Sequence, residues 1–202
     1  MFARFTPEAR RTTVRAGLLS LDHGRTTLDE DMLLLALAES WPAAGFAATP
    51  QAVTPGVAGA EAVTPEAVGA EIRDREAARG RAGDRELLAA IGVDLDEIRR
   101  RLPARRTDPL AWRLTRSRLR PLNVTLSGPA GDLLLTARAR KVVEVALHTS
   151  GTGAGTGSEV TGEDLLKGLL ADSSNASVSI LRGLGVDLRG LAASIGFLRE
   201  PA

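Results

Sequence analysis

The chain has 202 residues, a formal net charge of +1 and no cysteine. Near-neutrality removes any global electrostatic case for nucleic acid or membrane surfaces, and the lack of thiols excludes a disulfide framework or a thiolate metal site. No apolar run approaches the roughly 20 residues of a membrane helix, and no apolar stretch that would make a signal peptide follows Met1-Phe-Ala-Arg-Phe-Thr-Pro-Glu8, so the expected location is the cytoplasm.

The first predicted element is a helix over 7–21, because Thr6-Pro7-Glu8 supplies a hydroxyl cap, proline at the first helical position and an early acid. Gly24 terminates it. A second helix follows over about 29–39, with Met32, Leu33, Ala36 and Leu37 on one buried face. Its start is capped either by a Thr27/Glu30 box or by Asp29.

Residues 41–83 break the pattern. Ala52-Val-Thr-Pro-Gly-Val-Ala-Gly-Ala-Glu61 repeats at once as Ala62-Val-Thr-Pro-Glu-Ala-Val-Gly-Ala-Glu71, which is low-complexity material, with a charged helix possible over about 66–80. Helical packing is expected to resume over 84–92 and again over 96–102. The stretch 103–134 reads as a basic connector, holding Arg105, Arg106, Arg113, Arg116, Arg118 and Arg120 among four prolines. Two or three helical turns are expected over 110–119 and a short extended piece at Leu122–Leu126.

From Leu135 the opening pattern returns. Thr136, Ala139, Arg140, Lys141 and Ala146 match Thr6, Ala9, Arg10, Arg11 and Ala16. Thr27–Ser40 recurs as Val160–Ser173, laying Glu30 on Glu163 and Asp31 on Asp164, and Ile91-Gly-Val-Asp-Leu95 recurs as Leu184-Gly-Val-Asp-Leu188. A further helix is expected over about 176–183. Three blocks in the same order predict an all-α fold of two pseudo-symmetric four-helix units: 1–102 with an insertion at about 41–83, the connector 103–134, and 135–202. Each unit has little core of its own, so the two are expected to pack into one globule.

Catalytic motifs are missing. There is no P-loop, the glycine-rich run 149–158 lacks dinucleotide-binding spacing, and His23 and His148 have no triad or metal-ligand company. No cofactor, metal or enzymatic activity is expected.

The doubled blocks, the opening Met1-Phe-Ala-Arg-Phe-Thr6, Thr136-Ala-Arg-Ala-Arg-Lys-Val-Val-Glu144 and Gly185-Val-Asp-Leu188 resemble the Clp N-terminal domain of AAA+ unfoldases, the ClpC/ClpA branch above all. The resemblance spans about 1–40, 84–102 and 135–196, and fits a free-standing bacterial copy without ATPase modules. It implies a protein-binding module of the Clp protease system, an adaptor, modulator or decoy for substrates, adaptors or unfoldase components. It also implies phosphoarginine ligands at Glu30 and Glu163, assisted by Thr6 and Thr136, and a peptide groove using Phe2 and Phe5. The chain departs from the family pattern: Asp31 and Asp164 replace a histidine, and Asp29 and Gly162 replace a threonine. Each residue also has a structural reading, the acids as complements to a helix dipole and the phenylalanines as core. The arginine-rich connector leaves nucleic-acid binding as the alternative function.

Overall fold

The computed structural model describes residues 1–40, 63–78, 108–117, 122–151 and 159–197. The helices expected over 84–92 and 96–102, and most of the run 149–158, lie outside these. A 3-10 turn, Phe2–Arg4, leads into α1, Pro7–Asp22, whose first turn is capped by Thr6: its Oγ1 accepts from the Ala9 N–H at 3.2 Å. Gly24, at φ +70°, ends the helix in the left-handed conformation that glycine tolerates best. A two-residue strand, β1 (Thr27–Leu28), precedes α2 (Glu30–Ser40). The second copy of the decapeptide then forms the start of α3, Pro65–Ala78. Thr64-Pro65-Glu66 repeats the Thr-Pro-Glu chemistry of α1, and Thr64 Oγ1 takes the Ala67 N–H at 3.2 Å.

The connector is where the all-α expectation fails. Residues Arg113–Arg116 form β2, Val124–Gly128 form β3 and Gly131–Leu135 form β4. With β1 they make a four-stranded sheet in the order β1-β4-β3-β2, parallel between β1 and β4 and antiparallel elsewhere. The helix expected over 110–119 is a 3-10 turn, Pro109–Ala111, followed by β2. The physical reason is alternation. Leu114, Val124, Leu126, Leu133 and Leu135 all turn inward while their neighbours face out, and Gly128-Pro-Ala-Gly131 closes a two-residue hairpin. Gly131 sits at φ +133°, a conformation that suits glycine.

The second half continues with α4 (Ala137–Thr149), α5 (Gly162–Leu170), α6 (Ala176–Gly183) and α7 (Leu188–Ser194). Thr136 caps α4 as Thr6 caps α1, its Oγ1 taking the Ala139 N–H at 3.3 Å. One aliphatic core joins the halves and includes Leu33, Leu34 and Leu37 of α2, Val142 and Val143 of α4, and Leu165, Leu166 and Leu169 of α5. The sheet lies against α1 where Gly17 lets Leu126 and Leu133 approach. Arg10 fixes the turn before β2: its guanidinium donates to the carbonyls of Pro109 (2.9 Å), Leu110 (3.2 Å) and Trp112 (2.9 Å), and lies over the Phe2 ring at 5.1 Å. Among the described residues no helix is long and apolar enough to cross a membrane.

Candidate ligand-binding site

The starts of four helices meet in two pairs. Thr6 gives its backbone N–H to Val160 O at 2.9 Å, and Val160 gives its own to Arg4 O at 2.6 Å, which sets the beginning of α5 beside that of α1. Thr136 gives its N–H to Leu28 O at 3.0 Å, which sets the beginning of α2 beside that of α4. Each junction thus takes one helix from each half of the chain.

The acids at the α2/α4 junction are already engaged. Glu30 is only 5% exposed. Its Oε1 accepts from the Ala176 N–H at 3.4 Å, at the first residue of α6, and lies 3.5 Å from Nη1 of Arg138. Its carbonyl accepts from Ser177 Oγ at 2.9 Å. Glu30 therefore complements the positive end of α6, a helix whose own N-cap residue Asn175 makes no side-chain capping bond. Asp31 takes both arms of Arg25, at 2.7 and 2.9 Å. The same guanidinium reaches Glu76 of α3 at 2.6 Å and Asp29 at 3.2 Å, and the Arg25 side chain is 8% exposed. Burial opposes the charge on Arg25, but the hydrogen bonds to Asp31 and Glu76 and the charges behind them outweigh it and raise its pKa above the ordinary arginine value.

The α1/α5 junction is arranged differently. Asp164 is buried in a capping box with Thr161, whose Oγ1 takes the Asp164 N–H at 3.3 Å while Asp164 Oδ2 takes the Thr161 N–H at 3.0 Å. Glu163 is exposed and has no partner among the described residues. It borders a cleft of about 710 Å³ between α1, the end of α2 and the start of α5. Glu8, Arg11, Thr12, Arg15, Glu39 and Ser40 line the rest of its polar wall, with Ala9 and Leu37 as the apolar floor. Arg15 is committed to Glu39 in a two-armed pair (2.5 and 2.9 Å), and the hydrogen bond to Glu39 raises its pKa. Arg11 donates Nε to Pro7 O at 3.2 Å, which leaves its terminal nitrogens without a partner among the described residues. Glu8 and Arg11 from α1 and Glu163 from α5 give the cleft both signs of charge, which suits a ligand carrying both a cation and an anion.

The sequence-derived residues are thus divided. Thr6 and Thr136 are helix caps beside the two junctions, and Thr6 is not part of the cleft lining. Glu163 is at the cleft; Glu30 is buried in the other junction. Phe2 and Phe5 pack edge to face, centroids 5.3 Å apart, inside the core, an arrangement that favours packing over a peptide groove. Of the connector arginines, Arg113 is exposed, Arg116 pairs with Glu144, and Arg105, Arg106, Arg118 and Arg120 lie outside the described residues. His23 faces Glu76 at 3.4 Å and His148 is exposed. Sequence reasoning missed Glu8, Arg11, Arg15 and Arg138. Arg11 stands in the block that matches Lys141, Glu8 in the Thr-Pro-Glu helix start and Arg138 in the recurring Thr136–Glu144 block, but none of these signals points to a site, and nothing local marks Arg15.

An all-helical frame with a small sheet between its halves, and helix starts paired across them, defines a class of fold that solved structures contain. The N-terminal domain of the caseinolytic-protease-associated chaperone ClpD from Arabidopsis thaliana superposes with a TM-score of 0.53 over 96% of this chain and 94% of that one, at 16% identity. The chain therefore has a Clp N-terminal-like fold. No protein-family model and no curated protein sequence matches it.

Proposed function

We propose that the chain is two copies of the Clp repeat acting without enzymatic activity, a module that binds protein segments or adaptors of a Clp protease system as adaptor, modulator or decoy. The Clp N-terminal-like fold supports the system. The observation that carries the ligand is the cleft at the start of α5, lined by Glu163 and Arg11, where Glu163 and the terminal nitrogens of Arg11 have no partner among the described residues. A carboxylate suits a guanidinium and a guanidinium suits a phosphoryl group, so phosphoarginine on a marked segment has the charges this wall complements.

The test is a calorimetric titration of the protein with phospho-L-arginine. Binding is expected for the wild type. Glu163→Ala is expected to weaken it about tenfold, the loss of one charge-assisted contact, whereas Glu30→Ala leaves affinity unchanged and lowers stability. Equal affinity in Glu163→Ala and the wild type removes the assignment.

A further inference from the structure

We infer that Glu39 sets which ligands the cleft accepts: it holds Arg15 off the ligand and leaves Arg11, among the described lining residues, as the cation that an incoming anion meets. This rests on the cleft reading above, and goes beyond it in naming a specificity-determining residue that acts through another side chain.

The charged lining consists of Glu8, Arg11 and Arg15 from α1, Glu39 from α2 and Glu163 from α5. Glu8, Arg11 and Arg15 stand at i, i+3 and i+7, one stripe along their helix. At about 1.5 Å of rise per residue, Arg11 lies about 4.5 Å along the axis from Glu8, and Arg15 about 10.5 Å. Arg15 would be a second cation at the far end of the stripe, but Glu39 takes both its arms, at 2.5 and 2.9 Å, and answers its charge. The hydroxyls of Thr12 and Ser40 meet at 2.9 Å beside this pair and tie α1 to the end of α2. What is left for a ligand is two carboxylates without a partner among the described residues, Glu8 and Glu163, and the terminal nitrogens of Arg11. A guanidinium alone satisfies the acids but is set against Arg11. A phosphoryl group alone meets Arg11 but is set against two carboxylates. A ligand whose cation and anion lie within about one helical turn of each other satisfies both. Phosphoarginine, whose guanidino nitrogen is bonded to phosphorus, is such a ligand. Releasing Arg15 would place a second cation on the wall and remove that restriction.

The experiment is a calorimetric titration of the full chain with the N-acetyl amides of phospho-L-arginine, L-arginine and O-phospho-L-serine, folding being checked by circular dichroism. The wild type is expected to bind the phosphoarginine probe, and each of the others at least about tenfold more weakly, the scale of one contact left unmade. Glu39→Gln releases Arg15 and is expected to tighten the phosphoserine probe about tenfold while weakening the arginine probe. Arg15→Ala, which frees Glu39 instead, is expected to move both in the opposite directions. The double variant is expected to restore the wild-type ratio of the two affinities, a reversal that a purely structural ion pair would not produce. An unchanged ratio in Glu39→Gln overturns the inference and leaves the ligand reading standing. So does a wild type that binds the phosphoserine probe as tightly as the phosphoarginine probe. A double variant that keeps the Glu39→Gln ratio overturns Arg15 as the side chain through which Glu39 acts. No binding of the phosphoarginine probe by the wild type overturns the reading and the inference together.

Discussion

Glu30 and Glu163 match in sequence and do opposite work, and their surroundings explain it. Glu30 is enclosed by the first turn of α6 and by Arg138; Glu163 meets the cleft. The same contrast makes Arg25 the costliest single charge to remove. Arg25→Ala strands Asp31 and Glu76, and is expected to lower stability by about 3 kcal/mol, the usual result of deleting one partner of a buried ion cluster; urea unfolding measures it. Asp172 is the opposite case, a partly exposed acid outside the core. The hydroxyl of Ser174 and the ammonium of Lys141 hold its pKa down to about 2, against an ordinary 3.8. Its folded pKa is depressed, so the group favours the fold above about 3.8 and ceases to as pH falls through about 2. Carboxyl NMR should show that midpoint, and Ser174→Ala should move it up; an unmoved midpoint contradicts the assignment. Capping threonines such as Thr6 and Thr136 were legible because a cap is a local event, three residues wide. Arg138's partner was not, since Glu30 reaches it only through the packing of the two halves.

Helices were readable from period and punctuation, and α1, α2 and α6 fall within a residue or so of expectation. The sheet was obscured because its strands are short and its arginines dominate the composition of 103–134. The alternation of Val124, Leu126, Leu133 and Leu135 around Gly128-Pro-Ala-Gly131 was present, but only half of it was read as extended. The cleft was less legible still: its wall gathers residues from α1, α2 and α5, and only Glu163 had been singled out. Among elements, the α4/α5 crossing is exacting. A Cβ on Gly168 would collide with the Val142 carbonyl of α4, and backbone cannot turn aside. At Gly17 the nearest obstacle is instead the tip of the Leu126 side chain. Gly168→Ala is therefore expected to cost about 2–3 kcal/mol, in the range of overpacked cores, and Gly17→Ala distinctly less. Thermal melts of the two variants decide the order.

The molecule is stitched in both directions. Thr6 and Arg4 bond to Val160 through their backbones, β1 pairs with β4, Glu30 caps α6, and Arg75 of α3 donates to Ala176 O at 3.4 Å and to Ser179 at 3.0 Å. Neither half completes its own polar pairing, so both should unfold together. Urea transitions followed by tryptophan fluorescence and by far-UV circular dichroism are expected to coincide, and a fragment of residues 1–107 should show no cooperative transition. Two separated steps would show that the halves are independent.

The paired helix starts carry one more implication. By backbone position α2 begins at Glu30 and α5 at Gly162, so the Glu-Asp dipeptide lies one residue further along α5 than along α2. One residue of an α-helix is about 100° of rotation. The α2 helix tolerates this slip because it is buried on every side from Glu30 to Ala38 and has no outward face to misplace. A one-residue offset in the lead-in to a helix thus goes with one acid serving as internal mortar and the other left exposed to solvent, although both stand in the same Glu-Asp pair.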